Sequence, residues 1–238
     1  MITYLQVKQV LRNKRFILFT LFIPVCWYFI LYNIQNILSS NQILSIAVFI
    51  GIIGNCLATF SKRISSEKNF YIFYSKLSNY TMKRFLLNQV LVQFILNTCI
   101  FLLVFITGAI FSDLQISSIF LIQFMLLSIM GIYLSFFGFL IGSRVSSIII
   151  DTISFPLIIV AALTIIPFNQ FDSINSFLRI SSMLQKAFPG YYYNELMTSL
   201  LNNSHFDNVC FLWFLIIVII HIVFVFLLIP KDQFKRTM

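Results

Sequence analysis

The sequence predicts an all-α polytopic membrane protein. It has six transmembrane helices, an N-terminal interfacial amphipathic helix, and short re-entrant helices in the last outer loop. Three observations predict this. Hydrophobic residues make up 60% of the 238 and charged residues only 10%, too few charges to cover a soluble domain. Apolar runs of bilayer-spanning length recur along the chain. The runs are continuous rather than alternating, which argues against a β-barrel. Lipid offers backbone N–H and C=O groups no partners, so each run satisfies its own as a helix.

The elements follow in order. In residues 1–15, Tyr4, Val7 and Leu11 share one helical face and Lys8, Arg12 and Arg15 share another. That pattern suits a helix lying in the inner interface, its basic face toward anionic headgroups. The first apolar run, 16–32, follows a basic flank as a signal peptide does. It is longer than an ordinary signal core and no small-residue cleavage site follows, so it reads as an uncleaved span. The second span covers 43–60. A polar segment, 61–84, comes next with six basic residues and a single acid, Glu67. Spans three to five cover 85–111, 119–141 and 147–166. The outer loop, 167–208, is too polar and too broken by Pro167, Pro189 and Gly190 to cross a bilayer. It reads as short half-buried or re-entrant helices, capped outside by Tyr191, Tyr192 and Tyr193. The sixth span covers 209–229.

Charge placement orients the bundle. Fourteen of the sixteen Lys and Arg fall before span one, between spans two and three, between four and five, or after six. Only Arg179 and Lys186 fall on the other side. Both termini are therefore expected in the cytoplasm. The net charge of +9 is a topological signal rather than a nucleic-acid footprint, and no nucleic-acid partner is expected. Trp27, Tyr28 and Tyr32 at the outer end of span one, and Trp213 near the outer start of span six, suit the opposite interface. High Ile, Phe and Asn with little Gly and Ala points to an AT-rich bacterial genome, and so to a bacterial cell membrane.

Ionisable groups at depth are few. Cys26, Cys56, Cys99 and Cys210 form no close pair and read as small apolar residues. Asp151 stands seven residues from Arg144 and is expected to pair with it. His221 is the one histidine well inside a span and reads as a hydrogen-bonded packing residue. No second histidine or acid accompanies it, so neither a metal site nor a catalytic pair is expected. The third span carries Gln89, Gln93 and Asn97 at i, i+4, i+8. Lipid rejects such a face. It is either interhelical glue or a substrate path or subunit interface. The chain holds no P-loop, since no Gly is followed by Lys, and any ATP site must lie on a partner.

This layout resembles the membrane subunit of an ABC-2 type transporter, the exporter family that includes lantibiotic-immunity, drug-resistance and polysaccharide-export permeases. The resemblance covers nearly the whole chain. It rests on RNKRF before a span holding Pro24, on SSEKNF after span two, on FFGFLIGSRVSS closing span four, and on FPLIIVAALTIIP and FPGYYYNELM flanking the broken outer loop. Asn69 stands where the family often has Gly, and Ala161 and Ala162 where a Gly pair is common. The resemblance implies a non-catalytic subunit that binds no cofactor itself. It pairs with a second six-span permease, identical or paralogous, over two cytoplasmic ABC ATPase subunits that bind ATP and Mg. It further implies that part of 61–84 is a coupling element seated on the ATPase. Ser65, Glu67, Lys68, Asn69, Phe70, Tyr71, Phe73 and Lys76 carry that role. The aromatics supply anchors and the charges supply register. With so few charges in the membrane, the implied cargo is amphipathic or apolar: antimicrobial peptide, drug or lipid. Two other readings follow from the residues: a membrane immunity or sensor protein that works without an ATPase, and an intramembrane enzyme.

Overall fold

A computed structural model describes residues 17–33, 39–77, 82–112, 118–166, 176–203 and 206–229, together with Leu114 and five positions between Val7 and Lys14. Every regular element among them is helical. Four helices are long and apolar enough to cross a membrane: 40–73, 84–111, 118–144 and 208–228. Two apolar helices are shorter, Ile23–Asn33 and Ser147–Leu163. This is the architecture of an all-α membrane protein.

A π-helical turn, Ile17–Phe22, runs into α1 (Ile23–Asn33). Pro24 enters at the second position of α1, in the first turn, where a missing N–H is least costly. Helix α2 (Ser40–Ile53) starts with a capping box: Ser39 Oγ accepts from the Gln42 N–H and Gln42 Oε1 accepts from the Ser39 N–H. It continues without a break through a second π-helical stretch, Gly54–Phe60, into α3 (Ser61–Leu77). The segment expected as a connection after span two is thus, over most of its length, a continuation of the same helix. Helices α4 (Met82–Phe111) and α5 (Ser118–Arg144) are the longest uninterrupted ones. Then come α6 (Ser147–Leu163, with Pro156 inside it), α7 (Ser176–Gln185) and α8 (Pro189–Asn203). Last is α9 (Asn208–Leu228), capped by Asp207 Oδ1 on the N–H groups of Val209 and Cys210.

Helix α2 is the central post. Ile43, Leu44, Ala47, Val48, Phe49, Ile52 and Ile53 are all buried, and α1, α4, α5 and α6 pack around it. Glycines set how closely. A Cβ on Gly51 lies 2.5 Å from the Pro24 ring, so its absence lets α1 approach. Gly138 and Gly142 of α5 meet the backbone carbonyls of Cys56 and Ser61, with no room for a side chain. At the other face of α5, α8 and α9 pack as a pair, and much of α9 faces outward.

Candidate functional site

The polar stripe of α4 faces the interior of this chain. Gln89 and Gln93 are fully buried and Asn97 nearly so. Their partners come from the π-helical stretch and from α5. Asn97 Oδ1 accepts from Asn55 Nδ2 at 2.8 Å. Thr59 Oγ1 in turn donates to the Asn55 carbonyl (2.7 Å) and to its Oδ1 (3.1 Å). Cys56 sits at the centre. Its sulfur accepts from Gln93 Nε2 (3.8 Å) and Asn97 Nδ2 (3.7 Å), and lies 3.5 Å from Ser135 Oγ and 3.7 Å from the Gly131 carbonyl. Gly131 leaves space for the Asn97 amide, 2.6 Å from where a Cβ would stand. One turn before Gln93, Gln89 Oε1 accepts from Arg63 Nη2 at 3.0 Å, and Gln89 Nε2 donates to Tyr71 OH at 3.3 Å. The result is a ladder of polar rungs between α2, α4 and α5. It ends on Arg63, which also lies over the Phe60 ring, 5.2 Å from its centroid.

Sequence spacing found one rail of this ladder. It missed the other: Asn55, Cys56, Thr59 and Ser135. A π-helical turn shifts side-chain direction, so 3.6-residue periodicity does not place these residues on one face. The Gly138–Gly142 pair, four apart, was the available signal that α5 approaches a neighbour closely.

Helix α3 separates the expected coupling residues into two sets. One set turns inward. Ser65 Oγ donates to the Val145 carbonyl and Lys68 Nζ to the Ser143 carbonyl, both at 2.7 Å, so α3 caps the last turn of α5. Tyr71 is buried against Phe85, ring centroids 3.8 Å apart, within an inner cluster of Phe60, Ile64, Phe139 and Ile229. Glu67 is half-buried, hydrogen-bonded to Tyr71 and beside Arg63. The other set turns outward. Asn69 is exposed, and Phe70 and Phe73 are 63% and 62% exposed on the same side of the helix. Lys76 lies near the end of α3, its side chain outside the described residues.

Of the interfacial residues, Lys8 and Arg12 are exposed, while Val7 and Val10 pack on Val92 and Leu96 of α4. The segment's apolar side thus meets protein in part. Arg15, like Tyr4 and Leu11, lies outside the described residues. Asp151 does not pair with Arg144. The chain breaks between α5 and α6 at Val145 and Ser146, so the seven-residue spacing does not run along one helix. Asp151 pairs with Lys62, and Arg144 donates to the Leu228 carbonyl. His221 Nδ1 is 3.3 Å from Tyr133 OH, and the ring lies among Tyr133, Phe137 and Phe188. Among the described residues no cluster of three or more His, Cys, Asp or Glu is placed to hold a metal ion.

At the opposite end, α7 and α8 close over α6. Gln185 Nε2 donates to the Leu163 and Ile166 carbonyls (2.6 and 2.8 Å), and Asn194 Nδ2 donates to the Ile165 carbonyl. Two side chains thereby satisfy three carbonyls that the end of α6 leaves open. Tyr193, fully buried, donates to Ser45 Oγ at 2.5 Å.

No protein-family model, curated protein or solved structure matches this chain.

Proposed function

We propose that the chain is the membrane permease subunit of an ATP-driven exporter of the ABC-2 type. It crosses a bacterial cell membrane six times, with both termini in the cytoplasm and α3 at the cytoplasmic end. Two separate ATPase subunits bind ATP and Mg, and a second permease, identical or paralogous, completes the transporter. The cargo is amphipathic or apolar.

One observation carries this reading. Helix α3 is continuous with the central post and fixed to the end of α5 by Ser65 and Lys68, yet it presents Phe70 and Phe73 to the outside. A solvated loop has no use for two exposed aromatics. A joint does: the inward contacts transmit a push and the outward rings fill a partner's pocket. Movement of α3 then carries α2 and the spans packed on it as rigid bodies. For α1 and α6, the two shorter helices, spanning rests on length and composition. Helix α6 is 17 residues long, about 26 Å at 1.5 Å per residue. The first span takes in the π-helical turn as well.

Purification from the native membrane tests the proposal. The wild-type chain is expected to retain an ATP-binding-cassette ATPase. The Phe70→Ala, Phe73→Ala double variant is expected to retain at least tenfold less at equal permease yield. A chain that purifies alone, with a phenotype indifferent to that double substitution, favours the ATPase-independent immunity or sensor reading.

A further inference from the structure

Three buried side-chain polar atoms among the described residues have no hydrogen-bond partner: Arg63 Nε, Gln93 Oε1 and Gln123 Oε1. The first two belong to adjacent rungs of the ladder. Gln89, which binds Arg63, is one helical turn from Gln93, which binds Cys56. One atom is a donor and the other an acceptor. Both lie in a region where burial without a partner is strongly disfavoured. Turning over the Gln93 amide does not remove the problem. It gives Oε1 the Cys56 thiol as a partner and leaves Nε2 without one. Cys56 is already shared among Asn97, Ser135 and the Gly131 carbonyl.

We propose that a water molecule is bound between these two rungs, accepting from Arg63 Nε and donating to Gln93 Oε1. Buried waters occupy sites of this kind, where two or more polar groups lack protein partners. The water closes the ladder into one hydrogen-bonded column from Tyr71, through Gln89 and Arg63, to Gln93, Cys56, Asn97 and Asn55. It also gives the guanidinium a polar neighbour on its Nε side without a buried acid there. The site needs only the packing of α2, α4 and α5 within one chain. It therefore stands or falls independently of the exporter reading, and its test requires no ATPase.

Radiolytic hydroxyl labelling of the full chain in lipid nanodiscs tests it, because radicals formed from bound water oxidise side chains that bulk solvent does not reach. Cys56, which has no exposed surface, is the reporter. In the wild type it is expected to be oxidised rapidly. In Gln93→Leu, and separately in Arg63→Met, which leaves every partner of Cys56 in place, its rate is expected to fall at least fivefold. Cys99, only half-buried, is expected to hold its rate. Equal Cys56 rates in the wild type and both variants overturn the proposal. Should either variant fail to fold, a wild-type density map at water resolution decides. A peak within hydrogen-bond reach of both atoms supports the site, and an empty gap or a direct protein acceptor on Arg63 Nε overturns it.

Discussion

The ladder and the α3 aromatics invert the usual rule of inside and outside. Gln89 and Gln93 are amides with no exposed surface, whereas Phe70 and Phe73, two large apolar rings, are more than half exposed. The two sets lie on neighbouring helices and meet at Tyr71, which bonds Gln89 on one side and touches the Phe70 ring on the other. In lipid, polar groups hold helices together because hydrocarbon offers them nothing else. In water, an exposed aromatic gains little until a partner covers it. The contrast separates residues that build the subunit from residues available to another protein. Substitutions in the first set should cost stability, and substitutions in the second should not.

The largest effect is expected where the ladder is backed by bare backbone. Gly138 lies against the Cys56 carbonyl, and Cys56 is held in turn by both rails. Gly138→Val has nowhere to place its side chain without driving α5 off the π-helical stretch. A cost of about 3 kcal/mol is expected, read as a loss of monodisperse protein on gel filtration and a lower Tm. Gly142→Val, against the Ser61 carbonyl, should behave alike. A tolerated Gly138→Val would mean that the close approach of α5 is not what organises the ladder.

Asn97→Leu comes next. It strands Asn55 Nδ2 and takes one donor from Cys56. Interhelical hydrogen bonds in membranes are worth about 1–2 kcal/mol at most, so a drop of that size is expected from thermal melts in detergent. Gly131→Ala presses on the same amide and should give a loss of the same sign. Asn97→Leu together with Asn55→Leu is expected to cost less than the sum of the two single changes, because the pair is lost only once.

The sequence made parts of this legible for physical reasons. Four apolar stretches agree with long helices to within three residues at each end, because hydropathy over about 20 residues averages out local detail. The α4 stripe was legible because it lies on one regular helix. Its partners were not, because Asn55, Cys56 and Thr59 sit in a π-helical turn that a fixed period cannot describe. The pairing of Asp151 with Arg144 failed for a related reason: a helix break at Ser146 cancels the periodicity that the spacing assumed. For α3, composition showed aromatics and charges but not which faced inward. That division depends on where α5 ends, since the Ser143 and Val145 carbonyls are what Ser65 and Lys68 reach.

Smaller still is the Lys62–Asp151 pair, whose side chains are 29% and 47% exposed. Ion pairs so open to solvent contribute about 0–1 kcal/mol and weaken with salt. Lys62→Ala or Asp151→Asn should therefore shift Tm slightly at low ionic strength and not detectably at high ionic strength. A larger, salt-insensitive loss would place this pair with the ladder rather than with the surface.

The smallest expected effect on folding is the one that separates the two regions most sharply. Phe70→Ala with Phe73→Ala removes two rings that cover little of the subunit's own surface. What is lost within the chain is the edge contact of Phe70 with Tyr71, at 5.6 Å between centroids. Against that stands the better helix propensity of alanine, about 0.5 kcal/mol per exposed position. The two contributions oppose each other, so the melting temperature should be unchanged or slightly raised. Tyr71→Ala, one residue away but facing inward, should instead lose about 3 kcal/mol or more through the cavity left beside Phe85 and the bond taken from Gln89. If the double variant melted like Tyr71→Ala, the outward rings would belong to the fold, and α3 would have no face to offer a partner.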